Sequence, residues 1–286
     1  MGKIKIFTDS ACDLDQAVLE DLGVTCLPLT VNIEGKECRD RVDITPEEFY
    51  QRLPQIKGIP KTSMIPPGVF KDAFAEVLES DPEVEILYLA FASTLSSTYG
   101  SACLAKEQLE SDRITILNTY GASLGFGLMV TEAAKLAEKN VSMLEMVAHI
   151  EEMISRMEYL FIVGNLEMLK RGGRVNTATA IMGDLFSIKL ILYIPQGIIT
   201  PLEKAHGVKK AYKRILEIME EKGENLAEQT IGISYARNLQ GAQTMQKMIE
   251  EKFHCKTMLS EIGPVIGAHV GSGTLAFFFL RSHDKM

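Results

Sequence analysis

Three stretches of this chain carry residue types at spacings that could do chemistry. Gly121-Ala122-Ser123-Leu124-Gly125 fits the pattern G-x-S-x-G, which presents a serine nucleophile between a strand and a helix. His269, late in the chain, would be the general base of such a site. Against a hydrolase stand two features: Asn118, Thr119 and Tyr120 intervene before the first glycine, and no acid sits on a strand end between Ser123 and His269, since Asp184 falls in an apolar helical stretch. The same small residues equally let a helix pack closely on a sheet. The other two stretches are hydroxyl-rich: Thr62-Ser63 before a helix, and Ser93-Thr94-Leu95-Ser96-Ser97-Thr98 just after an apolar strand. Hydroxyls and free helix N-terminal N–H groups at the carboxyl ends of parallel strands can hold an anion without a formal positive charge. Singly, such residues serve as caps and turn formers just as well.

Other chemistries lack their residues. The five histidines show no H-x-x-x-H spacing, so no metal centre is expected. Neither G-x-x-x-x-G-K-[ST] nor G-x-G-x-x-G is present, and no cofactor site follows. The five cysteines (Cys12, Cys26, Cys38, Cys103, Cys255) are scattered and form no C-x-x-C pair, which fits a reduced, cytoplasmic protein. A net charge of −8 repels phosphate backbones and argues against a nucleic-acid partner. No apolar run nears the roughly 20 residues that span a bilayer, so no stable membrane anchoring is expected.

The elements that must position these residues follow from periodicity. The first ten residues alternate as a strand that ends in Thr8-Asp9-Ser10, and Asp13 is placed to cap a helix over 14–22. Thr45-Pro46-Glu47-Glu48 and Ser142 with Glu145 are capping boxes that start helices. Continuous apolar strands at 84–90 and 114–117 alternate with helices, the pattern of a mostly parallel sheet covered on both faces. Beyond residue 158 the rhythm changes: Gln196-Gly197 turns one strand into another as a hairpin, two helices and two strands follow, and residues 263–273 form a glycine-rich loop. With 286 residues, 46% hydrophobic and 24% charged, the expectation is an α/β protein of two domains. Residues 1–157 form an N-terminal three-layer α/β/α domain with a mostly parallel sheet, and 158–286 an α/β domain with a mixed sheet.

In this order along the chain, the motifs resemble the DegV family. Thr8-Asp9-Ser10-Ala11-Cys12-Asp13-Leu14 is similar to its T-D-S-x-x-D-L opening, and Thr62-Ser63 followed by Pro66 to its T-S-x-P. Residues 91–99 resemble its S-S-x-L-S-G-T-Y, Gly172-Gly173-Arg174 its G-G-R turn, and 263–273 its G-P-x-x-G-x-H-x-G-P-G. The resemblance implies a bacterial fatty-acid-binding protein, not itself an enzyme. One long-chain acid such as palmitate would lie in an apolar tunnel between the domains, its carboxylate presented to a separate ATP-dependent fatty acid kinase that makes the acyl phosphate. Carried over, Thr62 and Ser93 would hydrogen-bond the carboxylate, with Ser63 and Ser96 nearby and His269 at the mouth. Arg174 and His206 would face the phosphate or the partner. Departures are Ala92 for the first serine, Ser97 for the glycine, Asn118-Thr119 for an Asp-Ser pair, Ser187 for an asparagine, Leu190 for a proline, and His206 for an arginine on the kinase-facing side. A serine esterase using Ser123 and His269, or a lipid store without a kinase, are the alternatives.

Burial energetics fit a lipid site. An acyl chain of about fourteen methylenes gains on the order of 11 kcal/mol gross on burial, so the head group needs only neutral donors. The 14 methionines suit an adaptable wall, with Met153, Met157, Met168 and Met182 near the domain junction. Phe277-Phe278-Phe279 reads as a buried terminal strand rather than tunnel wall.

Overall fold

A computed structural model describes residues 3–164, 166–174 and 188–283. In the N-terminal half the elements are β1 (Ile4–Asp9), α1 (Gln16–Asp21), β2 (Thr25–Leu27), β3 (Thr30–Ile33), β4 (Lys36–Arg39), α2 (Pro46–Arg52), β5 (Lys61–Ser63), α3 (Pro67–Ser80), β6 (Glu85–Ala90), α4 (Thr98–Leu109), β7 (Ile114–Asn118), α5 (Leu124–Glu138) and α6 (Met143–Arg156). The C-terminal half has β8 (Met157–Ile162), α7 (Leu166–Arg171), β9 (Ile188–Tyr193), β10 (Thr200–His206), α8 (Val208–Lys222), β11 (Thr230–Tyr235), α9 (Leu239–Phe253), β12 (Lys256–Glu261), α10 (Pro264–Val270) and β13 (Leu275–Leu280).

The first sheet, β2-β1-β6-β7, is parallel throughout, and its apolar strands are covered on both faces. The second, β10-β9-β8-β13-β11-β12, is mixed: β11 and β12 pair parallel, every other neighbour antiparallel. The α/β class and the sheet type of each half agree with the sequence reading. The strand ending at Ile33 turns at Glu34-Gly35 into a return strand, as the sequence suggests, but this β3–β4 pair joins β5 in a separate antiparallel sheet, β4-β3-β5, that was not anticipated. The apolar run over 24–33 reads as one strand in the sequence, but it breaks at Pro28, and its two pieces join different sheets.

Helix α5 is the shared layer of the molecule. It packs on β1 and β6 of the parallel sheet and on β8, β11 and β13 of the mixed one. Its glycines make that double approach possible. A Cβ on Gly127 would lie 2.6 Å from the Cys12 carbonyl oxygen, and one on Gly125 would lie 2.3 Å from Cε1 of Tyr159. The close-packing role of the G-x-S-x-G segment is thus present in full. Outside α5, the parallel sheet buries Phe7 and Tyr88 against Phe70 and Phe74 of α3, with ring centroids 5.2 Å (Phe7–Phe74) and 5.0 Å (Phe70–Tyr88) apart. The mixed sheet is covered on its outer face by α8 and α9. One continuous core therefore spans both halves, and a second lies under α8 and α9.

Local signals were mostly met. Thr45 and Ser142 both form the expected capping boxes with Glu48 and Glu145. Two expectations need correction. Asp13 does not start the following helix: α1 begins later, with Asp15 at its N-cap position, while Asp13 closes a 3-10 turn over Ser10–Cys12 in a left-handed conformation (φ 54°) and is fully buried. Nor is 263–273 all loop, because Pro264 at the first helical position starts α10 within it.

Candidate binding site

A cavity of about 280 Å³ opens between the halves. Strand β5 and the segment before α4 contribute from one side; α10, β8, β13 and the turn after α7 contribute from the other. Its walls are mainly apolar side chains such as Leu29, Phe91, Phe161, Ile199, Val265 and Phe278. The alternation of β13 corrects the expectation for its three phenylalanines: Phe277 and Phe279 enter the outer core, while Phe278 lines the cavity. The wall takes its methionine from Met64, not from Met153, Met157 or Met168; Met182 lies outside the described residues.

Polar groups gather where the lining becomes exposed. Thr62 and Ser63 sit on β5, whose pairing with β3 holds Thr62 opposite Val31. Ser96 and Ser97 precede α4, and Arg174 follows the Gly172-Gly173 turn. Helix α10, packed on β3 and β5, brings His269 to Thr62, with Nε2 at 2.8 Å from the threonine Oγ1. The other ring nitrogen, Nδ1, is buried and has no hydrogen-bond partner. It faces Gly172, where a Cβ would lie 2.4 Å away, so only glycine fits there. Burial first, and the Arg174 charge second, lower the His269 pKa to about 4. The imidazole is therefore neutral at pH 7. Because Nδ1 has no partner, the favoured tautomer carries its proton on Nε2 and donates to Thr62 Oγ1. That leaves the threonine O–H free to donate to a ligand.

Arg174 lies exposed at the mouth, its Nη1 donating to the Gly172 carbonyl at 2.7 Å and its Nε to the Leu95 carbonyl at 3.3 Å. Ser96 Oγ is 2.8 Å from Thr98 Oγ1 and accepts from the Thr98 N–H. Ser93 is placed differently from its partner Thr62. It does not line the apolar cavity but an adjoining polar recess, with Thr94, Ser97, Gly173 and Arg174, and its Oγ accepts from Asn118 Nδ2 at 2.7 Å. Ser96 lines both spaces and stands where the sequence reading set Ser93. His206 is exposed at the end of β10 and does not line the cavity.

The hydrolase constellation does not assemble. Ser123 does line the cavity, but its Oγ donates to Asp13 Oδ2 at 2.5 Å and lies 2.9 Å from Ser234 Oγ. His269 Nε2 is engaged by Thr62 instead, so the nucleophile–base hydrogen bond is missing. Asp184 and Ser187 lie outside the described residues.

Asp13 is the hub that the sequence reading missed. Its Oδ1 accepts the Gly263 N–H at 2.8 Å, directly at the start of α10, and Arg41 lies 3.4 Å away. Arg41 also donates to the Glu261 carbonyl at 2.5 Å, and Ser260 Oγ donates to the Asp13 main-chain carbonyl. A Cβ on Gly263 would lie 3.0 Å from Asp13, 3.2 Å from Arg41 Nε and 3.2 Å from Asp40 Oδ1. Burial raises the pKa of Asp13, with Arg41 opposing, and raises that of Asp40 to about 7. The T-D-S-x-x-D-L pattern carried this residue in view; only its use as the α1 cap was wrong. Tyr159 was missed altogether because a lone tyrosine in an apolar strand gives no signal.

A parallel and a mixed sheet sharing one helix layer, with a mainly apolar cavity and hydrogen-bond donors at its mouth, is the arrangement of a small-molecule-binding class of protein. The family model "Uncharacterised protein, DegV family" matches residues 3–282, and the chain belongs to that family. It is 40% identical to a DegV domain-containing protein of Clostridium perfringens, covering 98% of each chain. It superposes with a TM-score of 0.89 on a fatty-acid-binding DegV family protein from Thermus thermophilus, at 32% identity, covering 98% of this chain and 100% of the other. DegV of Bacillus subtilis, a fatty acid binding protein, is similar at 26% identity, 99% and 100% coverage and a TM-score of 0.87. Among the described residues no helix is long and apolar enough to cross a membrane.

Proposed function

We propose that this protein binds a long-chain fatty acid, with the hydrocarbon tail in the interlobe cavity and the carboxylate at its polar mouth. The observation that carries the reading is the Thr62–His269 pair at 2.8 Å at the mouth of a mainly apolar cavity. The fatty-acid-binding relatives from Thermus thermophilus and Bacillus subtilis support it. Thr62 donates to the carboxylate, His269 holds Thr62 in the donating orientation, and Ser63, Ser96 and Arg174 complete the surroundings of the head group. A neutral first contact suits an acid that must react further, since a buried cation would stabilise the ionised ground state that phosphorylation consumes.

The finer reading is that the carboxylate is handed to an ATP-dependent kinase and leaves as an acyl phosphate, with the protein itself not catalytic. In this reading Ser93 and Arg174, which line the polar recess beside the mouth, receive the added phosphoryl group. His206, standing where the family pattern has arginine, keeps a lipid store without a kinase as the second reading. Native mass spectrometry followed by denaturation tests the main proposal: a bound acid of fatty-acid mass is expected. A lipid-free chain that also fails to take up palmitate or oleate would overturn it. Kinase-dependent acyl phosphate formation, lost in His269→Ala, separates the presenter from the store.

A further inference from the structure

The G-x-S-x-G segment is unused by the function proposed above, yet it places polar atoms in the cavity wall. Tyr159, on β8, lines the cavity and is 4% exposed; its hydroxyl is fully buried and has no hydrogen-bond partner. That hydroxyl is lodged against the main chain of the segment, because a Cβ on Gly121 would lie 2.0 Å from Tyr159 Oη and one on Gly125 2.3 Å from its ring. Ser123, between those glycines, also lines the cavity. It holds a left-handed φ of 58°, fixed by its N–H donating to the Ala11 carbonyl at 2.8 Å. Its hydroxyl proton is directed to the Asp13 carboxylate, with Ser234 Oγ as the other acceptor within reach, and no side chain among the described residues donates to Ser123 Oγ, which leaves a lone pair open.

An unpaired donor and an open acceptor in an oily wall are costly for a purely hydrocarbon ligand. We propose that Tyr159 and Ser123 form a polar subsite that takes a hydroxyl group borne on the acyl chain itself. The inference rests on the acyl-chain reading of the cavity. A hydroxyl is both donor and acceptor: it accepts from Tyr159 O–H and donates to Ser123 Oγ. A keto oxygen satisfies Tyr159 alone, and a methylene satisfies neither. A second carboxylate is disfavoured by the Asp13 charge directly behind Ser123. Burial raises the Tyr159 pKa, so the phenol remains a donor across the neutral range.

The test is competitive displacement from the full-length protein by stearic acids carrying one hydroxyl at successive carbons, each compared with stearate. One narrow range of positions is expected to bind about tenfold tighter than stearate, the worth of a satisfied buried hydroxyl. In Tyr159→Phe that ratio falls to about one, and in Ser123→Ala it falls part of the way. A flat profile across positions overturns the subsite, as does an advantage that survives unchanged in Tyr159→Phe. Stearate binding with a flat profile sinks this inference alone. Failure of stearate and of every hydroxystearate to bind sinks the fatty-acid reading with it.

Discussion

Thr62 and His269 stand 207 positions apart in the chain and meet at 2.8 Å at the mouth of the cavity. The first comes from a three-residue strand and the second from a seven-residue helix, and neither element could hold its shape alone. Their meeting depends on the packing of α10 against β3 and β5, which the buried Asp13–Arg41 hub secures at the helix start.

Thr62→Val keeps the shape of the side chain and removes its hydroxyl. Fatty acid affinity is expected to fall by about tenfold, the range for a hydrogen bond to a charged group. Displacement of a fluorescent fatty acid measures it; unchanged affinity would remove Thr62 from the head-group site.

Gly172→Ala places a Cβ 2.4 Å from His269 Nδ1 and forces the ring away from Thr62. Overpacking of this kind costs about 1–3 kcal/mol. Ligand retention in native mass spectra should fall although no charge or hydrogen-bonding group has been altered.

His269 has its pKa lowered from 6.5 to about 4, chiefly by burial. Between those values the unfolded chain takes up a proton that the folded chain refuses. The stability contributed by the neutral ring is whole above about pH 6.5 and is lost as pH falls toward 4. Denaturant midpoints of wild type and His269→Gln should therefore diverge least at the acid end. A bound carboxylate should raise the ring's pKa, which NMR titration with and without fatty acid can follow.

Asp40 has the opposite sign. Burial raises its pKa from 3.8 to about 7, against the pull of Arg41, so the folded state keeps a proton that the unfolded state releases. Its contribution is complete below about pH 3.8 and is lost as pH rises through 7. Asp40→Asn should flatten this decline, gaining on wild type from pH 5 to pH 8 in urea denaturation. An identical pH profile in the two proteins would show that Asp40 titrates normally.

Arg41→Met leaves Asp13 and Asp40 buried without their cation. The expected loss is about 3–5 kcal/mol of folding stability, read from denaturant midpoints, because desolvated carboxylates are stranded. A shift below about 1 kcal/mol would place the pair among weak surface bridges.

The capping boxes, the hairpin at Gln196-Gly197, and helices α8 and α9 were legible to within a residue or two, since each depends on neighbours in sequence. Thr62, Ser63, Ser96, Arg174 and His269 were singled out in advance, and all five line the cavity. Ser93 was not separable from Ser96 in sequence. Which hydroxyl of residues 93–98 turns inward is decided by how the chain leaves β6 and enters α4, and Asn118 of β7 draws Ser93 outward. Asp13 was visible but misassigned, because a cap and a buried counter-charge share one residue type. Its partners Gly263 and Ser260 lie about 250 positions away.

By itself, the order of residues determined the α/β class, the sheet type of each half and the hydroxyls and histidine available for a head group. Those follow from periodicity and local hydrogen bonding, which act over a few residues. Only the tertiary structure decided that α5 serves both sheets, that His269 pairs with Thr62 rather than Ser123, and that Tyr159 is left unpaired in the wall. These depend on distances between segments far apart in the chain, and those distances are set by close packing of whole elements, down to the single missing Cβ at Gly121, Gly125 and Gly172.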